Sequence, residues 1–201
     1  MNRESGSAAL RLGAVRDDTS PAWDAFYPEG LPDDWRLPFY AHHWKDLLVP
    51  SRDWSRFLSD PGSFDEAPED LRLYFEVPPS EQEANSAMQS LADVLGKRLG
   101  GFLVERGDLS VDSALGGRVF PRAPFPSMPG ALYAAGYAGE AGFVRVVEPR
   151  PGLSLRDRRE LLETLVRAMP ADCRQPLFLR CGPGELEEAE TILRLAGLLR
   201  L

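Results

Sequence analysis

Residues 71–105 read LRLYFEVPPSEQEANSAMQSLADVLGKRLGGFLVE, and this stretch decides the expected fold. It begins with Leu71 to Val77, an apolar run that barely alternates. A strand with one face in water alternates apolar and polar residues, whereas a strand covered on both faces need not. The middle of the stretch is helical. Ser80 and Glu83 have the spacing of a capping box, and Ala84, Met88, Leu91, Leu95 and Leu99 recur every three or four residues as one apolar stripe. Gly101 to Glu105 then resumes the apolar pattern. Strand, amphipathic helix and strand together make the unit that connects parallel strands, because the chain must cross back before it can run the same way again.

Working outward, the same alternation recurs on both sides. Leu10 to Val15 and Asp46 to Val49 precede it as candidate strands, and Phe143 to Val147 and Leu177 to Arg180 follow. A helix is expected from about Ser154 to Met169, with Leu161, Leu162, Leu165, Val166 and Met169 inward and Pro170 as its stop. A further helix follows Gly182, Pro183 and Gly184 and buries Leu186, Ala189, Ile192, Leu193 and Ala196. Its acidic first turn, Glu185, Glu187 and Glu188, suits the positive end of the helix dipole. Shorter helices are expected near Pro38 to Trp44 and Asp53 to Leu58. The rhythm fails only at about residues 107–142, where Pro121, Pro124, Pro126, Pro129 and many glycines mark an irregular segment. The fold expected from these patterns is a single α/β domain over residues 1–201, with a mostly parallel sheet and crossover helices.

Composition narrows the partners. A chain of 201 residues with 43% hydrophobic residues can fill one core unaided. Its net charge of −8 repels phosphodiester backbones and anionic headgroups, so neither nucleic acid nor a membrane is expected as a partner. The densest basic stretch, Arg156, Arg158 and Arg159, is broken by Asp157 and followed by Glu160 and Glu163, as on a solvated helix face. Cys173 and Cys181 flank a candidate strand and would lie about 25 Å apart at roughly 3.3 Å per residue, beyond disulfide reach. Two free thiols, no signal-like start and no long apolar run make a cytoplasmic location the expectation.

A resemblance enters at Phe26, Tyr27, Pro28, Glu29, Gly30, Leu31 and Pro32, followed by Phe39, Tyr40 and Ala41. This resembles the N-terminal signature of the YecE-like family, a domain of unknown function. The segment from Leu95 to Leu103, the triplet Phe143, Val144, Arg145 and the stretch from Glu188 to Leu195 are similar to later family segments in the same order. The resemblance implies a TIM-barrel-like fold, here in a shortened, diverged and thus reduced or incomplete form. Polar positions depart from the family pattern. Ala14 to Asp18 replace a turn containing glycine, serine and tryptophan, and Leu47 to Pro50 replace a Val-Glu-Ile-Asn pattern. Glu76 stands at a lysine position, Val147 and Glu148 at a His-Gly pair, and Arg180 and Cys181 at an asparagine pair.

In parallel α/β folds ligands collect at the carboxyl ends of strands. Those ends carry Arg16 with Asp17, Glu76, Glu105 with Arg106, Glu148 with Arg150, and Arg180. Arg16, Glu76, Glu105, Glu148 and Arg180 are therefore the expected ligand-binding residues. Charge is also what any strand shows where it leaves a core. The glutamates offer acid and base groups, or oxygen ligands to Mg²⁺ or Mn²⁺, although no histidine stands at a strand end. The adjacent His42 and His43 lack the spacing to share a helix face. No phosphate-binding glycine motif, nucleophile elbow or zinc spacing occurs, so no cofactor is named. Trp23, Phe26, Tyr27, Trp35, Phe39, Tyr40, Trp44 and Trp54 fill a core or, if exposed together, form a patch for a protein partner. Two functions follow: a non-catalytic binding or interaction module, or an enzyme acting on a small polar metabolite through the strand-end glutamates, with or without a divalent ion.

Overall fold

The computed structural model describes residues 10–17, 19–59, 67–78, 81–105, 113–168 and 176–196. Every apolar run singled out above lies in or across a strand. These are β1 (Arg11–Val15), β2 (Asp46–Val49), β3 (Arg72–Glu76), β4 (Leu99–Val104), β7 (Gly142–Pro149) and β8 (Pro176–Leu179). Two more, β5 (Val119–Ala123) and β6 (Ala131–Gly139), arise within the segment expected to be irregular. The helices are α1 (Pro21–Phe26), α2 (Asp33–His43), α3 (Trp54–Ser59), α4 (Glu81–Leu95), α5 (Leu155–Arg167) and α6 (Pro183–Leu195).

The expected fold, a mostly parallel sheet in a reduced or incomplete TIM-barrel-like architecture, is overturned. The eight strands form a closed mixed barrel in sequential order. Closure is made by β1 on β8, with Leu12 opposite Leu177 and Ala14 opposite Leu179. The sheet is mixed because β6 runs antiparallel to both β5 and β7. The cause is local. Gly139 pairs with Gly142 across the two-residue turn Glu140–Ala141, and a turn that short joins antiparallel strands only. Among the described residues no α-helix lies between β4 and β7, so crossover helices do not alternate with every strand.

Two apolar layers hold the barrel. Inside it, Val15, Leu48, Tyr74, Leu103, Phe120, Tyr137, Val144, Val146 and Phe178 pack into a plug. Outside it, alternate residues such as Leu47, Leu73, Phe75, Phe102 and Val147 meet the helices. Each fully buried large side chain contributes about 1.5–3 kcal/mol. In α4 the stripe of Ala84, Met88, Leu91 and Leu95 is buried as its spacing requires, while Ser80 of the expected capping box lies outside the described residues. In α5, Ser154 Oγ accepts the Asp157 amide at 3.2 Å and donates to the Asp157 carboxylate at 2.6 Å. Leu161, Leu162 and Leu165 are buried beneath it, and Met169, Pro170 and Cys173 fall outside the described residues. α6 buries Leu186, Ala189 and Leu193.

The β1–β2 seam carries a specific lock. Tyr40 of α2 places its hydroxyl between the strands, accepting the Ala14 amide at 3.0 Å and donating to the Asp46 carbonyl at 2.7 Å. Gly13 is needed beside it, because a methyl group there would overlap that carbonyl and the Phe178 ring. Asp46 itself is turned into the barrel floor with 1% exposure, 3.1 Å from Arg11 Nη2, which also donates to Tyr74.

Burial pushes the Asp46 carboxyl up from 3.8 to about 6, against the pull of Arg11 and Arg72. A carboxyl raised in this way favours the folded state when protonated. The stability it lends is complete below its unfolded value and is lost as pH rises through about 6. A shift of this size corresponds to about 3 kcal/mol. Urea denaturation of the parent and of Asp46→Asn from about pH 4 to about pH 7.5 should therefore show the parent losing up to about 3 kcal/mol relative to the variant. Parallel profiles would contradict this assignment.

Candidate functional site

Side chains of a strand alternate between its two faces. The residues that plug the barrel thereby dictate which residues form its mouth. Two positions beyond Tyr74 stands Glu76, beyond Leu103 Glu105, beyond Phe120 Arg122, beyond Val146 Glu148, and beyond Phe178 Arg180. The reversed strand β6 brings Tyr133 and Tyr137 from the opposite direction, with Tyr137 opposite Arg122 and Tyr133 opposite Glu148.

Two linked clusters result. Arg180 of the β8 end donates from Nη2 to Glu76 Oε1 at 2.8 Å, and its Nε lies 3.7 Å from Glu148 Oε2. β8 and β3 are not neighbours; β1 and β2 stand between them, so this pair reaches across the mouth. In the second cluster, Glu105 accepts from Arg122 Nη1 at 2.5 Å, from Tyr133 at 3.1 Å and from Tyr137 through a short bond. Arg122 also donates to the Tyr133 hydroxyl at 2.8 Å and lies over both tyrosine rings.

The two carboxyls are driven apart electrostatically. Burial pushes Glu76 above its ordinary value, Arg180 pulls it back, and the negative charge of Glu105 adds to the rise. Burial also pushes Glu105 upward, but hydrogen bonds from Tyr137 and Arg122, the Arg122 charge and Tyr133 outweigh it and hold this carboxyl below its usual range. Tyr137 is raised by burial and by its donation to Glu105.

Of the expected ligand residues, Glu76, Glu148 and Arg180 come together directly, and Glu105 joins them through its charge. Arg16 does not follow them. It stands one residue past inward-facing Val15, so it turns outward and places its guanidinium 4.8 Å from the Phe57 ring centre. Asp17, the next residue, accepts from Arg52 at 2.8 Å. Arg150 is held at Ala131, donating to its carbonyl at 3.3 Å, and Arg106 lies outside the described residues. Arg52, Arg122, Tyr133 and Tyr137 were not expected. For the last three a signal was present in the two-residue alternation of Phe120 with Arg122 and of Tyr133, Ala135 and Tyr137.

The other expected features take different places. Among the described residues no group of three or more His, Cys, Asp or Glu side chains is placed to hold a metal ion. Trp23, Tyr40, Trp44 and Trp54 are core residues, and His43 stacks near Phe26 and Phe39, whereas Trp35 is 55% exposed. Burial pushes the Cys181 thiol up to about 12. Among the described residues no helix is long and apolar enough to cross a membrane.

Fold and mouth together define a closed mixed barrel, plugged by apolar side chains and crowned by a network of glutamate, arginine and tyrosine. No family model, curated protein or solved structure matches the chain. The YecE-like resemblance accordingly rests on the residues that carry it.

Carbon-detected NMR titration of the glutamate side chains should give a midpoint for Glu76 above, and for Glu105 below, that of an ordinary glutamate. Coincident midpoints, or the reverse order, would contradict the arrangement.

Proposed function

We propose that the chain is a binding module whose barrel mouth takes one small polar ligand. The observation that carries this reading is the Arg180–Glu76 pair spanning from β8 to β3 above an apolar plug. It gives the mouth a charged floor on a dry support, flanked by Glu148 on one side and by Glu105, Arg122 and Tyr133 on the other. Ion pairs this exposed add little to folding, typically about 0–1 kcal/mol each. Their value lies in presenting oriented donors and acceptors, since carboxylates accept and guanidinium and phenol groups donate. A small hydroxyl-bearing molecule satisfies both kinds of group without leaving a charge unpaired. The long-range resemblance at residues 26–32 is consistent with shared ancestry with the YecE-like family, as part of the same proposal.

The test is a thermal-shift screen of the purified chain against separate panels of sugars and polyols, amino acids, and carboxylic acids. A ligand at a hundred times its Kd adds about 2.7 kcal/mol to stability, a shift of several degrees. At least one panel should produce it, and Arg122→Ala, which removes donors from the rim but no core side chain, should abolish it. No shift with any panel, or one that Arg122→Ala leaves intact, would remove the support for this reading.

A further inference from the structure

Outside the barrel a cleft lies between α5 and the chain entering β6. Asp157, Glu160, Leu161 and Thr164 line one wall. Their spacing of three, one and three residues puts them on a single helix face, about 10 Å long at roughly 1.5 Å per residue. The other wall is the turn at Pro129 and Gly130, with Arg150 and Leu153 from the chain leaving β7. Arg150 is pinned to that turn: its main-chain amide donates to the Gly130 carbonyl at 2.9 Å, and its Nε to the Ala131 carbonyl at 3.3 Å. Gly130 has a φ of 82°, and a methyl group on it would lie 3.6 Å from Leu153 and 3.8 Å from Leu161. Turn and helix therefore touch at apolar side chains, which form the floor, and the space above has a volume of about 260 Å³.

Opposite charges face each other across this space without joining. The Asp157 carboxylate is engaged by Ser154. Among the described residues no hydrogen bond or ion pair engages the Glu160 carboxylate, and both Nη groups of Arg150 are uncommitted. Elsewhere on α5 the charges are used up: Arg158 pairs with Glu185 and Glu188, and Arg159 and Arg167 both pair with Glu163. A guanidinium on one wall and a carboxylate on the other, with an apolar floor between them, offer a ligand two charged ends and a dry middle.

We propose that this cleft binds a free amino acid with an aliphatic side chain, at a site separate from the barrel mouth. Arg150 donates from its Nη groups to the α-carboxylate, Glu160 accepts from the α-ammonium, and the ligand side chain rests on Pro129, Leu153 and Leu161. Size favours such a ligand, since the cleft falls below the roughly 300–1,000 Å³ of sites for drug-sized molecules and is too small for a nucleotide cofactor. Charge favours it too. A simple anion would meet Glu160 and Asp157 unneutralised, and a simple amine would leave Arg150 without a partner, whereas a zwitterion answers both walls.

The experiment titrates the purified chain with L-leucine, L-leucinamide and N-acetyl-L-leucine by isothermal calorimetry. L-leucine should bind. Leucinamide, which lacks the carboxylate, and N-acetyl-leucine, which lacks the ammonium, should each bind about tenfold more weakly or worse. Glu160→Gln and Arg150→Gln should each weaken leucine by about tenfold as well, with thermal melts showing that both variants are folded. The ligand series probes the same two contacts in the unaltered chain, so the outcome does not hang on the Arg150 variant keeping its turn. Backbone amide NMR shifts on adding leucine should centre on Gly130, Leu153 and Thr164. No binding at millimolar leucine, equal binding of either blocked ligand, binding that survives both substitutions, or shifts centred on Tyr133 and Tyr137 would overturn the site. The reading of the mouth is tested through Arg122 and stands or falls separately.

Discussion

Pairing of the last strand with the first is the constraint on which the rest of the structure depends. Once β8 lies on β1, no strand edge is left open, the apolar faces of β1 to β4 and β8 turn either into the barrel or toward the helices, and the strand ends share a rim. Other contacts reinforce this seam from outside. Trp23 of α1 donates from its indole nitrogen to the Cys181 carbonyl just beyond β8, at 3.1 Å, and at the next seam Tyr40 ties β1 to β2. With the seam open, the Phe178 and Val15 side chains would lose their place in the plug, and Arg180 would have no carboxylate of β3 to meet.

Stability and chemistry occupy separate parts of this plan. The apolar layers inside and outside the barrel supply the folding free energy, while the rim contributes oriented charge that folding barely needs. The opposite end shows what burial of a charge costs: Asp46, sealed at the floor beside Arg11, is driven toward neutrality. At the mouth, partial exposure lets Glu105 stay ionised among its donors, and only the more covered Glu76 is pushed upward. The donors around Glu105, together with the deeper cover of Glu76, thus separate two otherwise identical side chains.

Much of the strand set was legible because long runs such as Leu71 to Val77 exist only where both faces are dry. Closure was not, since the pairing of Leu12 with Leu177 joins residues at opposite ends of the chain and leaves no local mark. Strands β5 and β6 were hidden by their composition: Pro121 sits inside β5, and β6 is made mostly of alanine, glycine and tyrosine, residues that read as a loop. Missing them meant missing the reversal of β6, and with it Arg122, Tyr133 and Tyr137. Glu76, Glu105, Glu148 and Arg180 were found by their position just past apolar runs. The same rule misplaced Arg16, because position past a strand does not specify the face, and Arg16 lies over Phe57 outside the barrel.

The measurement that tests the account most directly is a double-mutant cycle on Glu76 and Arg180, read by urea denaturation. These residues are 104 positions apart in sequence and meet only if the barrel closes and brings β8 within reach of β3. The account expects the single variants Glu76→Gln and Arg180→Met and their combination to be non-additive, with a coupling of about 0.5–1 kcal/mol that weakens in high salt. Strict additivity at low salt as well as high would contradict the Arg180–Glu76 contact and the mouth built upon it.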